Sequence, residues 1–516
     1  MIGRRRGTPR EHVLLPIAPT ANGRLHLGHI GGPMLKLDVL ARHLRRIGDR
    51  VTLIGSSDPY DSYILLRGRE TGQSPAEVVN HWHPLIERDL NAAGIVPDRF
   101  MNFLDEPWRS RNHEVCERIL LDLAAQRLTT IRRERFPYCA ATGMFVAGGF
   151  VRGRCPGCAA ATAGYFCEEC GLHFRPEQAA DVRCGFDDCS PQWREIPCLY
   201  ARLPDTEAVV RRIAEMGVPE PFERIVRTYL RMQGPELRLT HPGTWGVPVR
   251  VESSPVPQVA FTYVVCGLAF LTLSAQIGAE DLGAGPDNPP CTVTSLGYDN
   301  ALPFLLGGVG LAMALPGYRP TDHMLLNHFM TLDGSKFSTS RNHVIWAGDL
   351  AGETGSDVIR AYLADNSPDR STTDFSRTGF ADYRDTVLRG KWLDAVERAW
   401  SGIPASGGTL PSRLADRLEH VFSHQERALD PAGYDLPAVM AAVHSWIDDG
   451  APPDGAAWWL RGLALLAAPV TPDFAGQLWR MLGVEGEPST LRLTDPVSVR
   501  NSDIPPILGE QQCATR

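Results

Sequence analysis

The chain has 516 residues, of which 43% are hydrophobic and 22% charged, and its 52 basic and 60 acidic side chains give a formal net charge of −8. These ordinary globular values exclude collagen-like, low-complexity and disordered proteins. The N-terminal segment MIGRRRGTPR has charge but no apolar run behind it, unlike a secretory signal. No apolar run is expected to reach the roughly 20 residues of a membrane-spanning helix. We therefore expect a cytoplasmic, enzyme-sized protein that does not bind membranes.

Short apolar runs alternate with amphipathic stretches in the first part of the chain. Residues 13–18 predict a strand that enters a turn, residues 30–47 a helix, and residues 51–55 a second strand. Two more amphipathic helices are predicted at 75–95 and 110–127. This alternation of strands and helices predicts a parallel α/β sheet.

The rest of the chain departs from this alternation. Residues 136–200 are rich in Cys and Gly and predict an insertion held together by metal. The remaining segments predict, in order, helix at 205–235, strands or buried segments at 261–273, 291–297 and 323–332, and helices from 381 onward.

Cysteines are concentrated in the predicted insertion. Seven of the 12 Cys lie between Cys139 and Cys189, which in an intracellular chain indicates metal binding before disulfides. Two C-x2-C pairs stand out, and four thiolates with this spacing predict a closed, structural zinc site. Its ligands would be Cys155, Cys158, Cys167 and Cys170.

Two histidines follow the first predicted strand. His26 and His29 are three residues apart, after a turn at Asn22 and Gly23, so both can lie on one face of the next helix. A helix N-terminus offers free N–H groups and a positive dipole end to phosphate, and Gly28 lets a flat ring approach the backbone. The pattern favours phosphate binding, with two partly exposed histidines of no special role as the alternative.

A Gly- and Ser-rich loop with one lysine lies further along the chain. Its sequence from Asp333 is DGSKFSTS, and Lys336 is one of only three Lys in the protein. Lysine places a compact charge on a flexible stem, which suits a mobile phosphate clamp. An ordinary hairpin turn with a solvated lysine is the alternative.

Together the two motifs resemble the HIGH and KMSKS signatures of class I aminoacyl-tRNA synthetases. The likeness extends over about residues 13–380, including ANGRLHLGH, DVLARHLRRIGDRV and GMFVAGGFVRGRCPGC, and is similar to the methionyl-tRNA synthetase branch in its archaeal and eukaryotic form. It implies an α/β fold, with a Rossmann-type catalytic domain, a zinc-binding insertion and a C-terminal α-helical domain that resembles an anticodon-binding domain. It also implies an ATP-dependent ligase that converts an amino acid into aminoacyl-AMP.

The resemblance implies roles for individual residues. His26, His29 and Lys336 match the catalytic positions that hold the ATP phosphates, and Asp58 matches the carboxylate that holds the substrate's α-ammonium. A turn-forming Asp before a proline is the alternative for Asp58. The implied cofactors are ATP, Mg²⁺ and structural Zn²⁺. The implied ATP-binding residues are Asn22, Gly23, Gly28, Gly297, Asp299, Ser338 and Ser340, of which the Gly297/Asp299 pair meets the ribose.

A second zinc site is implied by the archaeal-like members of the family. Its ligands here would be Cys139, Cys184 and Cys189. Thr142 stands where another Cys is expected, and the last pair has the spacing CGFDDC, so the fourth ligand is not identified. Unused buried thiols are the alternative.

The implied amino-acid pocket departs from the family's methionine pocket. Beside Asp58, its residues are Ala18, Thr20, Val265, Phe304 and Gly308, where the family has Leu, Tyr, Trp, His and Trp. A thioether is selected by close apolar walls, so these changes predict an amino acid other than methionine. A misaligned or diverged methionine pocket is the alternative. KMSKS has become KFSTS, and the loss of its second Lys predicts slower activation.

Three functions are compatible with these features. The first is an activating enzyme like the synthetase-like part of hydrazine synthetases, which passes the acyl group to a small-molecule amine or hydroxylamine in specialised biosynthesis, here with a separate cupin-type partner protein. The alternative is a genuine aminoacyl-tRNA synthetase, a methionine–tRNA ligase with tRNA as its partner. The third is a non-catalytic, RNA-binding or regulatory protein, against which the intact HLGH motif, Asp58 and Lys336 argue.

The resemblance also predicts five parts of the chain. The two halves of the catalytic domain flank the insertion, and a linking segment precedes the helical domain. In order these are residues 1–130, 131–215, 216–345, 346–380 and 381–516.

Overall fold

The strands of the protein are those of a computed structural model that describes residues 8–167, 169–338, 343–403 and 410–497. In chain order they are β1 (Glu11–Pro16), β2 (Arg50–Ser57), β3 (Arg99–Asn102), β4 (Thr129–Cys139), β5 (Met144–Phe145), β6 (Val151–Arg154), β7 (Ala161–Ala163), β8 (Ala180–Cys184), β9 (Gln192–Arg202), β10 (Glu236–Arg238), β11 (Thr240–Pro242), β12 (Pro248–Val249), β13 (Gln258–Ala260), β14 (Cys291–Gly297), β15 (His323–Asn327), β16 (Met330–Leu332), β17 (Ser335–Lys336) and β18 (Thr373–Phe375).

Helices separate the strands of the first half and make up most of the last third. The α-helices are α1 (Leu27–His29), α2 (Leu35–Arg46), α3 (Ser62–Thr71), α4 (Pro75–Ala92), α5 (Trp108–Ala125), α6 (Thr206–Glu215), α7 (Glu220–Gln233), α8 (Gly267–Leu282), α9 (Leu311–Ala314), α10 (Ala347–Thr354), α11 (Ser356–Asp365), α12 (Arg377–Tyr383), α13 (Asp394–Ser401), α14 (Ser412–Ala428), α15 (Leu436–Asp449), α16 (Ala456–Ala467) and α17 (Pro472–Met481). Wider, π-type turns occupy Ile30–Met34, Thr262–Cys266, Pro303–Gly310 and Arg384–Leu393.

A five-stranded parallel sheet with the order β15-β14-β1-β2-β3 lies at the centre of the fold. The predicted parallel α/β sheet is therefore confirmed. Val13 of β1 pairs with Thr292 of β14 on one side and with Thr52 of β2 on the other, so later strands are added to the sheet on both sides of β1. Such a switch point opens a crevice at the carboxyl ends of the strands, which is where ligands bind in open α/β sheets.

The Cys-rich segment forms two small antiparallel sheets. Strands β4 and β9 pair along their length into a ribbon flanked by β5 and β10, and β6 pairs with both β7 and β8. The ribbon returns the chain to the helices α6 and α7, as the sequence predicted. The five-part division of the chain stays a prediction.

The apolar segment after β13, predicted as a strand or a buried segment, is a largely buried helix and not a strand. Residues 262–282 are helical throughout and bury Val264, Leu268 and Ile277 on different sides. This segment, Thr262–Leu282, is 21 residues long and apolar enough to cross a membrane by length and composition, contrary to expectation. A core helix passes the same test, and 67% of its most apolar window is buried inside the protein.

A buried lysine joins the sheet to the C-terminal helices. The Lys36 ammonium on α2 lies 2.6 Å from Asp369 and donates to the carbonyl of Leu326, 3.0 Å away. The second oxygen of Asp369 accepts from the backbone N–H of Leu436 at the start of α15. Removing one partner of such a buried pair is costly, so these contacts fix the end of β15 relative to the helical region.

Candidate functional site

The first predicted motif lies where β1 turns into a helix at the carboxyl edge of the sheet. His26 is the N-cap of α1, and its Nδ1 accepts from the backbone N–H of Gly28 at 3.1 Å. Nδ1 of His29 in turn accepts from the backbone N–H of His26 at 3.3 Å. Because both Nδ1 atoms accept, both imidazoles carry their proton on Nε2, which is the atom left to donate to a ligand.

Both rings are held in the neutral form. Burial lowers the pKa of His29 to about 4. Burial also lowers the pKa of His26 well below its usual value, and the charges of His29 and Lys336 add to the effect. At neutral pH these side chains are therefore hydrogen-bond donors without net charge, suited to phosphate oxygens as negative charge develops.

Asp58 lies directly opposite this turn, at the end of β2. Its backbone N–H donates to Pro19, and its carbonyl accepts from Ala21, which ties the two loops together. One carboxylate oxygen accepts from the backbone N–H of Tyr60 at 2.9 Å. Burial, together with the nearby Asp61 carboxylate, raises the pKa of Asp58 to about 7. Asp58 thus shapes the turn and also lines the crevice. Its binding of an α-ammonium stays a prediction.

The predicted phosphate loop is the hairpin of β16 and β17. Lys336 is exposed at its end, with its ammonium 5.7 Å from the centre of the Phe329 ring. Phe337 turns inward and stacks flat on His26, with ring centroids 4.7 Å apart. Backbone hydrogen bonds between Ser338 and His343 close the loop. Thr339 and Ser340 lie outside the described residues.

A cavity of about 410 Å³ connects these elements. It runs from the HLGH turn across the sheet edge to the helix Thr262–Leu282 and the loop after β14. Ten of the predicted site residues line it, namely Ala18, Thr20, His26, Gly28, His29, Asp58, Gly297, Asp299, Phe304 and Lys336.

Other predicted residues lie outside this wall. Asn22, Gly23 and Ser338 are close in sequence to lining residues but do not line the cavity. Val265 and Gly308 are buried in the hydrophobic core, where a Cβ on Gly308 would lie 3.1 Å from Leu271. Val265 lies in the helical turn Thr262–Cys266 and Gly308 in the helical turn Pro303–Gly310, and neither residue lines the cavity.

Several lining residues were missed by the sequence analysis. On the helix after β13 the cavity is lined by Tyr263, Cys266 and Phe270, which recur with helical spacing. The Tyr263 hydroxyl donates to the buried carboxylate of Asp61 at 2.6 Å. The segment is apolar on nearly every side, so no amphipathic period in the sequence marks these residues.

The four cysteines of the predicted zinc site come together. Sγ of Cys155 lies 3.7 Å from Sγ of Cys170, and Sγ of Cys158 lies 3.5 Å from Sγ of Cys167. All four sulfur atoms lie within 4.8 Å of one another. Zn–S bonds of about 2.3 Å in a tetrahedron require sulfur separations of this size, so the residues fit a structural zinc ion.

The second cysteine group acquires a fourth member in the structure. Cys139, Cys184 and Cys189 lie together with Asp187, and their ligand atoms are all within 4.8 Å of one another. The Asp187 carboxylate is 3.1 Å from Sγ of Cys139. Carboxylate is an accepted zinc ligand, so Asp187 within CGFDDC offers a fourth donor to this group.

The family is identified by comparison with known proteins. The family described as "tRNA synthetases class I (M)" matches residues 16–269 and 303–400. The chain belongs to this family. It is therefore an ATP-dependent ligase of the class I aminoacyl-tRNA synthetase type, and its reaction is the activation of an amino acid.

Individual relatives point to the same branch of the family. The chain is 25% identical over 515 residues to the methionine–tRNA ligase of Chlorobium luteolum, covering 91% of this chain and 72% of that protein. It is 28% identical over 439 residues to the methionine–tRNA ligase of Roseiflexus sp., covering 80% and 69%. These matches and the family confirm the predicted methionyl-tRNA synthetase-like character.

The fold is shared with solved structures. One is the Mycobacterium tuberculosis methionyl-tRNA synthetase in complex with methionyl-adenylate, with a TM-score of 0.73 and 16% identity. The superposition covers 97% of this chain and 99% of that one. The predicted fold class is therefore confirmed.

Proposed function

We propose that the protein is an aminoacyl-tRNA synthetase that activates methionine with ATP and transfers the methionyl group to tRNA. The observation that carries this proposal is the single cavity that joins the HLGH turn, Asp58, the loop after β14 and Lys336. The relatives named as methionine–tRNA ligases support the choice of amino acid and acceptor. They support this reading better than transfer to a small molecule.

ATP, as its Mg²⁺ complex, would occupy the end of the cavity near the HLGH turn. The Nε2–H groups of His26 and His29 donate to phosphate oxygens, and Lys336 adds positive charge from the opposite loop. A Cβ at Gly28 would lie 3.1 Å from the His26 ring, so glycine at this position avoids crowding that ring. Asp299, in the loop after β14, accepts from the ribose hydroxyls.

The amino acid would occupy the other end. Asp58 binds its α-ammonium by a charge-assisted hydrogen bond. Phe270, Phe304 and Cys266 form a largely apolar wall beyond it. Aromatic edges and a thiol are favourable neighbours for a thioether, which restores methionine as a substrate despite the small residues Ala18 and Thr20.

The chemical step needs no protein nucleophile. A carboxylate oxygen of the amino acid attacks the α-phosphorus of ATP, the bond to the bridging oxygen breaks, and pyrophosphate leaves. The protein contributes alignment of the two substrates and stabilisation of the charge that develops on the phosphates. The neutral imidazoles suit this task because they donate hydrogen bonds to the phosphates without neutralising the phosphate charge before reaction.

Transfer to a small-molecule amine or hydroxylamine is a second candidate. The altered residues Ala18 and Thr20 at the cavity wall and the loss of the second lysine from KFSTS favour it. In a specialised, hydrazine-forming pathway a separate cupin-type partner protein would complete the reaction.

The deciding experiment is amino-acid-dependent ATP–pyrophosphate exchange with all twenty amino acids, followed by charging of total tRNA with the amino acid found. Exchange and charging with methionine would establish the proposal. Exchange with a different amino acid would refute the choice of substrate, and exchange without charging would refute tRNA as the acceptor. Absence of exchange with all twenty would contradict activation of any standard amino acid.

A further inference from the structure

A second carboxylate lines the cavity close to Asp58. Asp61 lies three residues further on, between β2 and α3, and its side chain is part of the same cavity wall. It is the N-cap of α3, where its Oδ1 accepts from the backbone N–H of Tyr63 at 2.9 Å. The residue is only 2% exposed, so its carboxylate is largely removed from water. The place assigned to the α-ammonium therefore contains two carboxylates.

Uncharged groups of the protein hold the carboxylate of Asp61 in place. Its Oδ1 also accepts from the Ser62 hydroxyl at 3.2 Å, and its Oδ2 accepts from the Tyr263 hydroxyl at 2.6 Å. Burial raises the pKa of Tyr263 well above its usual value, and the nearby charges of Asp61 and Asp58 add to the effect, so this phenol stays a donor. A carboxylate has roughly four lone-pair positions, which leaves Oδ2 able to accept one more hydrogen bond from a ligand.

No cation of the protein balances these two carboxylates. Among the described residues, neither Asp58 nor Asp61 takes part in an ion pair. Burial and the charge of Asp61 raise the pKa of Asp58 to about 7, and neither Asp299 nor Lys336, which line the same cavity, contributes to this change. Removing carboxylates from water without a cationic partner costs free energy. The pair is therefore suited to a positively charged ligand.

The other titratable groups that line the cavity add no positive charge beside the pair. Burial raises the pKa of Tyr60 above its usual value. The pKa of Cys266 is raised by its hydrogen bond with Cys116 and by burial, so both side chains stay neutral. Burial lowers the pKa of each lining histidine, which keeps these rings uncharged near neutral pH. They are His26, His29 and His328.

We propose that Asp61 is a second binding residue for the substrate's α-ammonium, which lies between Oδ2 of Asp61 and the carboxylate of Asp58. An ammonium carries three N–H donors, so it can donate to both carboxylates at once. An α-hydroxy acid has no such charge and leaves the pair unbalanced, so Asp61 makes the site selective for amino acids. This proposal rests on the proposed activation of methionine.

The first test compares two ligands that differ only in the amine. They are L-methionine and the α-hydroxy acid in which a hydroxyl replaces its amine, and their affinities for the full-length protein are measured by calorimetry at pH 8. Asp61→Asn removes the charge but keeps a side chain that caps helices well. We expect it to weaken methionine binding about tenfold or more, while the α-hydroxy acid binds no more weakly than to the parent.

The matched control is Asp205→Asn, since Asp205 is the N-cap of α6 and does not line the cavity. It should leave the affinity for both ligands within about twofold of the parent. Equal weakening of both ligands by Asp61→Asn would assign Asp61 a structural role and overturn the proposal. An unchanged affinity for methionine in Asp61→Asn would overturn it as well.

The second test follows kcat/KM for methionine as the pH is lowered. Because the charge of Asp61 contributes to the raised pKa of Asp58, Asp61→Asn should lower that pKa, and the decrease of kcat/KM should begin about one pH unit lower than in the parent. Loss of a helix cap alone would not move this decrease, so a decrease that begins at the same pH would contradict the proposal. The proposed function fails separately, if the parent shows no methionine-dependent ATP–pyrophosphate exchange.

Discussion

The imidazole of His26 and the ring of Phe337 are stacked, with an interplanar angle of 1° and centroids 4.7 Å apart. This contact joins the HLGH turn to the KFSTS loop, two segments about 300 residues apart in the sequence. The stack gives Phe337 a function beside that of Lys336. It holds the loop that carries Lys336 against the His26 ring, which we expect to donate to phosphate. The contact also explains why an aromatic residue is suitable at this loop position.

Replacing Phe337 by Ala should weaken ATP binding. An aromatic pair contributes about 0.5–1.5 kcal/mol beyond its buried area, so we expect the KM for ATP to rise about three- to tenfold. The measurement is ATP–pyrophosphate exchange at varied ATP. Phe337→Tyr keeps the ring and is expected to behave like the parent protein, whereas an unchanged KM for ATP in Phe337→Ala would show that the stack does not position the loop.

Lys336 should contribute far more to the rate of ATP–pyrophosphate exchange than a lysine elsewhere on the surface. Lys336→Ala is expected to lower the rate of exchange about 100-fold or more, because a charge directed at the developing phosphate charge is lost. Lys391→Ala is the control, since Lys391 is partly exposed and pairs with Asp448 on the helical region, away from the cavity. Similar small effects of both substitutions would remove Lys336 from the reaction.

Amino-acid binding should depend on pH through Asp58. The pKa of this carboxyl in the free protein is raised to about 7, so the charged form that binds an ammonium is lost as the pH falls below that value. We expect kcat/KM for the amino acid to reach its plateau near pH 8 and to fall about tenfold per unit well below pH 7. In Asp58→Asn, kcat/KM for the amino acid should be low at every pH and should not fall further as the pH decreases below 7. A flat profile between pH 6 and pH 8 in the parent would rule out Asp58 as the titrating group.

Metal content can distinguish one zinc site from two. We expect two zinc ions per chain by inductively coupled plasma mass spectrometry, one at each cysteine group. Asp187→Ala should lower this value to one, whereas Asp188→Ala, a change at the neighbouring residue outside the cluster, should leave two. A single zinc in the parent protein would show that the second group is not a metal site.

The sequence predicted the sheet but not the whole pocket, for a physical reason. Leu14 in β1 and Leu325 in β15 lie in short apolar runs, and parallel strands that are buried on both faces have this pattern. The helix Thr262–Leu282 is apolar on nearly every side, so it has no amphipathic period and its pattern cannot be told from a buried strand. Asp187 was missed because the C-x2-C template expects sulfur alone.

A pair of substitutions on that helix tests the corrected pocket. Tyr263→Phe removes the hydroxyl that donates to Asp61 at 2.6 Å, and we expect the KM for the amino acid to rise about tenfold, since a hydrogen bond to a charged group contributes about 1.5 kcal/mol. Val265→Ala, two residues further on, leaves the cavity wall unchanged but removes buried methyl groups. It should lower the free energy of unfolding by about 1–3 kcal/mol without changing that KM. If Val265→Ala instead raised the KM for the amino acid while Tyr263→Phe did not, Val265 would face the pocket. Its position in the hydrophobic core would then be wrong.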